Sequence, residues 1–98
     1  MASWFVYLIR TRQNALYTGI TTNIVQRLAE HEQGKGAKYL RAKGPLRLVY
    51  AVELGNRSLA TKAEYRIKRL AKSQKEAIIA QKLDQQALLI YLSLQDSA

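Results

Sequence analysis

The chain opens on an unbroken apolar and aromatic run, Trp4-Phe5-Val6-Tyr7-Leu8-Ile9. A run of aromatic and β-branched residues without alternation predicts a central strand buried on both faces. After the polar turn Thr11 to Asn14, Leu16 to Thr21 reads as a second strand, so the two form a hairpin. Asn23, with Gln26 three residues on, has the form of a capping box. Ile24 and Leu28 mark one face of the short helix it starts, and Gly34 is placed to end it. Gly34 to Lys38 reads as a flexible basic loop. Beyond Gly44-Pro45, Leu46, Leu48, Tyr50 and Val52 alternate with Arg47, Val49, Ala51 and Glu53, which predicts a third strand with the first set on one face.

Ser58 is placed to cap a second helix, on which Leu59, Ala63, Ile67 and Leu70 recur at intervals of four, four and three. Ser73 to Glu76 has the form of a further capping box, opening a helix through Ile78, Ile79 and Leu83. Leu88 to Leu92 reads as an extension of that helix, a partner contact or a cover for the sheet. The order ββαβαα is that of an α+β fold, a small sheet with helices packed over it. A length of 98 residues supports one domain.

Charge narrows the class of partner. Sixteen Lys and Arg against seven Asp and Glu give a net charge of +9. From Gly34 to Arg47 there are five basic residues and no acid, and between Leu54 and Lys75 seven basic residues surround a single acid, Glu64. No run has the length of a membrane span, and the first residues do not have the pattern of a secretory signal, so a cytoplasmic protein with an anionic partner is expected. Nucleic acid is the first candidate and an anionic membrane surface the second. With no Cys, thiolate zinc sites, disulfides and cysteine nucleophiles are excluded. Phosphate-loop, dinucleotide-fingerprint, H-x-x-x-H and G-x-S-x-G patterns are also missing.

The informative set is Tyr7, Tyr17, Arg27, His31 and Glu64. The hairpin puts Tyr7 and Tyr17 nearly opposite each other, within reach of one sheet edge. Arg27 and His31 are an i, i+4 pair on the margin of the first helix's buried face, turned toward the hairpin. Glu64, one position past Ala63, borders the buried stripe of its own helix. Taken singly, each has an ordinary structural reading: packing tyrosines, a solvated arginine, a hydrogen-bonded histidine, and a Glu64 to Lys68 pair worth about 0.3–0.5 kcal/mol.

Taken in order, Val6-Tyr7-Leu8, Leu16 through Thr22, Arg27 through His31, Gly34 through Tyr39 and then Glu64 resemble the GIY-YIG nuclease superfamily, closest to its small stand-alone bacterial members. The resemblance runs from about residue 4 to 70, leaving a helical tail at about 74–94. It implies a three-stranded antiparallel sheet flanked by helices and metal-dependent cleavage of phosphodiester bonds in DNA, with structured or damaged DNA as a candidate substrate. By that carry-over one of Tyr7 and Tyr17 deprotonates or positions the attacking water and Arg27 holds the scissile phosphate. Glu64 binds Mg²⁺ or Mn²⁺, and His31 acts as an acid, base or positioning group.

Lys35, Lys38, Arg41, Lys43, Arg66 and Lys68 are the expected contacts to the nucleic acid, DNA ahead of RNA. Phe5, Val6 and Thr18 depart from the family's motif residues beside the tyrosines and read as packing changes. The competing expectation is a nucleic-acid-binding module of the same fold without catalysis. A third is an interaction protein associating through Leu88 to Leu92, so that a monomer or weak homodimer is expected.

Overall fold

A computed structural model describes residues 2–94. Three strands form one antiparallel sheet in the order β2-β1-β3: β1 (Trp4–Arg10), β2 (Leu16–Thr21) and β3 (Arg47–Gly55). β1 is central, as its uninterrupted apolar run predicts, and Val6, Tyr7, Leu8 and Ile9 are all buried. Their side chains divide between two cores. Val6 and Leu8 face a larger core with Tyr50, Leu54, Ala60, Ala63, Ile67, Ile78, Leu88 and Leu92. Tyr7 and Ile9 face a smaller one with Leu40 and Leu46. Burial of each large apolar side chain contributes about 1.5–3 kcal/mol, so β1 carries a large share of the fold.

The third strand departs from simple alternation. Leu8 lies opposite Tyr50 but Ile9 lies opposite Leu48, which leaves Val49 as the extra residue of a β-bulge. One inserted residue reverses the facing of everything beyond it. Leu46 and Tyr50, expected on the same face, therefore bury in opposite cores.

The helices are α1 (Ile24–Glu32), α2 (Arg57–Lys68), α3 (Lys72–Gln81) and α4 (Gln85–Tyr91), so the order ββαβαα holds with one further helix at its end. The Asn23 side chain caps α1 by accepting from the Gln26 amide. Gly34, at φ +76°, ends it in a Schellman arrangement in which the Gly34 and Lys35 amides donate to the His31 and Glu30 carbonyls. Two caps differ from expectation. Asn56 rather than Ser58 caps α2, its Oδ1 accepting from the Leu59 amide at 2.7 Å. At α3 the capping position is Ala71, which has no acceptor, and Gln74 reaches back to the Ala71 amide.

The segment expected as a flexible loop is ordered. Lys38–Leu40 forms one 3₁₀ turn, and Leu40 is buried in the smaller core. Of the three readings of the C-terminal stretch, covering the sheet is the observed one. Lys82 in the left-handed region separates α3 from α4, and Leu88 and Leu92 close the larger core. Arg66, an exposed residue, donates to the Leu92 carbonyl at 2.7 Å and ties α2 to the end of α4. Arg10 holds α3 to the hairpin through a bidentate pair with Glu76.

Candidate active site

Tyr7 and Tyr17 are diagonal neighbours rather than opposite ones. Gly19 lies across from Tyr7, and Tyr17 lies across from Ile9. The parity of the register still turns both rings to one face, with centroids 6.4 Å apart. Gly19 is what allows Tyr7 to lie flat across β2, because a Cβ there would fall on the Tyr7 ring and hydroxyl.

α1 begins two residues past β2 and brings His31 onto the tyrosines. The His31 ring centroid is 6.0 Å from that of Tyr7 and 5.6 Å from that of Tyr17. His31 is only 1% exposed, yet both of its nitrogens are used. Nδ1 accepts from the Ala37 amide at 3.1 Å, and Nε2 lies 2.8 Å from the Tyr7 hydroxyl. A backbone amide can only donate, so Nδ1 is the unprotonated nitrogen and the ring proton sits on Nε2. Nε2–H therefore donates to the Tyr7 oxygen, and the hydroxyl proton of Tyr7 points away from the histidine.

Burial first, and the Arg27 charge second, hold the His31 pKa below its ordinary 6.5, with Glu30 opposing. The neutral ring that the hydrogen bonds require is thus the favoured form. Gly36 lets the loop pass against the imidazole, since any Cβ at that position would collide with the ring.

Burial also pushes the Tyr7 hydroxyl up to about 12, helped by Tyr17 and Glu64, with the Arg27 guanidinium acting in the opposite direction. The Arg27 charge therefore does not bring Tyr7 toward the phenolate. At Tyr7, desolvation outweighs the nearby cation. Arg27 is about a third exposed and pairs with Glu30 at 2.9 Å, a bond that raises its pKa. It lines an open cleft of about 370 Å³ with Trp4, Thr21, Asn23, Gln26, Glu30 and Arg57, between the start of α2 and the side of α1.

Glu64 lies on α2 and bridges to Lys68 at 3.3 Å, with its side chain 22% exposed. Its charge registers at Tyr7, although it does not line the Arg27 cleft. Among the described residues no three His, Asp or Glu side chains group as a metal cage, so Glu64 would hold an ion as a lone protein carboxylate.

Of the expected basic contacts, Lys35, Lys38 and Arg41 are exposed along the loop that His31 anchors, Arg66 and Lys68 are exposed on α2, where Lys68 bridges to Glu64, and Lys43 is half-buried. Tyr39 was read only as the end of the basic-loop motif, yet it stacks on Tyr17 with centroids 6.1 Å apart and planes 17° from parallel. Lys43 lies over the Tyr39 ring at 4.1 Å. An aromatic flanked by cations with no acid nearby is the signal that could have singled it out.

The hairpin thus presents two tyrosines, α1 an arginine and a histidine, and α2 a glutamate whose charge is felt at Tyr7. The model of the GIY-YIG catalytic domain matches residues 3–77, and the chain belongs to that family. It is similar to the UPF0213 protein YhbQ of Salmonella typhimurium, 54% identical over 89 residues that cover 91% of this chain and 89% of the relative. YhbQ of Escherichia coli K12 is 57% identical over 81 residues, covering 83% of this chain and 81% of that one. Two solution structures share the fold. The UPF0213 protein BH0048 of Bacillus halodurans has a TM-score of 0.55 at 31% identity and covers 98% of each chain. EF2693 of E. faecalis has a TM-score of 0.59 at 35% identity and covers 83% of this chain and 86% of that one.

Proposed function

We propose that this protein is a divalent-metal-dependent endonuclease that hydrolyses phosphodiester bonds in DNA. The observation that carries this reading is the hydrogen bond from His31 to Tyr7, whose direction the Ala37 amide sets. Tyr50, in the larger core, spends its hydroxyl proton on the Leu83 carbonyl, whereas the His31 bond leaves the Tyr7 hydroxyl proton free to be donated to a ligand. Arg27 exchanges its Glu30 partner for the scissile phosphate, which a planar guanidinium grips through two oxygens and whose transition-state charge it stabilises. Tyr7, with its proton turned away from His31, orients the attacking water. Negative charge arriving on the Tyr7 oxygen is met by His31 Nε2–H and Arg27. At about 12, Tyr7 is neutral at physiological pH and positions the water as a hydroxyl rather than as a phenolate.

One partly buried carboxylate fits a hydrated Mg²⁺ or Mn²⁺, which is commonly held by one or two carboxylates together with substrate phosphate. Glu64 would hold that ion, and when bound it would neutralise charge at the phosphate.

The test is incubation of the purified protein with plasmid and branched DNA in Mg²⁺ or Mn²⁺. Cleavage by the wild type, lost in Glu64→Gln and in Tyr7→Phe, is expected. Cleavage that survives both substitutions overturns the assignment. Salt-dependent DNA binding without cleavage of any substrate would instead identify a binding module of the same fold.

A further inference from the structure

Tyr39 is 47% exposed at the rim of the site, and the reading of its environment rests on the phosphodiesterase assignment above. Its position is fixed from both sides in the chain. Ala37 is tied to His31 through its amide, and Leu40 is only 1% exposed in the smaller core. The 3₁₀ turn between them therefore holds the ring up rather than letting it collapse onto the surface. The ring stacks on Tyr17, which packs against Tyr7 and His31, so it continues the aromatic group of the site outward. Lys35, Lys38 and Arg41 are exposed around it, Lys43 lies over it, and residues 34–47 contain no acid.

We propose that Tyr39 is the seat of an unpaired DNA base lying next to the scissile phosphate. A rigid aromatic face beside backbone-tracking cations is the arrangement that binds single strands, because every base has a face to stack and every linkage a charge to neutralise. A base inside a duplex already has both faces covered by its neighbours, so Tyr39 selects single-stranded, gapped or branched DNA. In the free protein Lys43 shields the ring. When a base takes its place, the ammonium moves on its flexible stem to the adjoining phosphate. A preformed ring adds affinity because little ordering remains to be done on binding.

The experiment is fluorescence anisotropy with a labelled single-stranded DNA oligonucleotide and with the blunt duplex of the same sequence, in EDTA so that binding is read apart from cleavage. Tyr39→Leu is expected to weaken single-strand binding about tenfold, the scale of one lost base stack, and to leave duplex binding nearly unchanged. Tyr39→Phe and Tyr39→Trp keep the stacking face and are expected to bind the single strand as the wild type does. Equal weakening on both probes, no weakening on either, or a Tyr39→Phe protein as weak as Tyr39→Leu would each overturn the proposal. Cleavage by the wild type in Mg²⁺, assayed separately on the same oligonucleotide, tests the nuclease reading independently of this one.

Discussion

Placing a methyl group on Gly36 should dismantle the His31 contacts without changing either partner. The backbone there lies outside the left-handed region, so alanine meets no conformational penalty, but its Cβ collides with the imidazole. The ring has to turn, and both of its hydrogen bonds, to the Tyr7 hydroxyl and the Ala37 amide, are lost. At roughly 0.5–1.5 kcal/mol for each bond, Gly36→Ala is expected to cost about 2 kcal/mol. For a domain of this size that corresponds to a fall in Tm on the order of 10 °C.

A double-mutant cycle isolates the cause. His31→Ala alone loses the same bonds and also leaves a cavity in the smaller core, for about 3 kcal/mol. In that background Gly36→Ala should cost almost nothing, because nothing remains for the Cβ to strike. Denaturation of the four proteins followed by far-UV circular dichroism gives the coupling directly. A Gly36→Ala penalty of the same size with and without His31 would refute the contact, and with it the tautomer argued from Ala37.

Three further outcomes are expected. Asn56→Ala should destabilise the protein by about 1 kcal/mol, whereas Ser58→Ala should be nearly neutral, as read by urea denaturation. Because burial holds His31 below its ordinary 6.5, the unfolded chain takes up that proton first as pH falls. Stability present above pH 6.5 is then lost on acidification, together with hydrogen-exchange protection of the Ala37 amide, and His31→Gln should remove that part of the pH dependence. Burial raises Tyr7 and Tyr50 to about 12, so both should ionise late when phenolate absorbance is followed. The unfolded chain releases those protons first, near pH 10, so stability is lost as pH climbs from 10 toward 12, and Tyr7→Phe should remove part of both the late absorbance and that loss.

The parts of the fold readable from the sequence were those in which one local signal decides the outcome. The Trp4 to Ile9 run admits only a doubly covered strand, and Asn23 and Gly34 bracket α1 through their own side-chain and backbone chemistry. What could not be read depends on partners distant in the chain. The bulge at Val49 is set by pairing with β1, and the Arg66 guanidinium is claimed by a carbonyl 26 residues away. Asn56 and Ser58 are both acceptable caps in isolation, and the packing of α2 on the sheet selects the earlier start.

The same division holds for the site. Tyr7, Tyr17, Arg27, His31 and Glu64 were nameable as an ordered set, but the anchoring of the basic segment was not. Its glycines suggest freedom, whereas Gly36 serves close packing against a histidine and Ala37 supplies the proton that orients that histidine. The place of Tyr39 is not written locally, because its exposure and its stack on Tyr17 exist only once the hairpin and the 3₁₀ turn face each other.

Tyr7 lies on the middle strand, bonded to a neighbour on each side, whereas His31 and the segment it clamps lie at the periphery. The two halves of the same hydrogen bond therefore belong to different opening units. Amides of β1 should exchange only when the whole molecule unfolds, while those around Ala37 can open in smaller excursions. The Tyr7 oxygen is thus as durable as the fold itself, whereas the hydrogen bond it accepts from His31 lasts only as long as the rim stays closed. The exposed positions of that segment, Lys35, Lys38 and Arg41, can vary without disturbing either core, whereas Gly36 and Leu40, like residues 6–9, cannot.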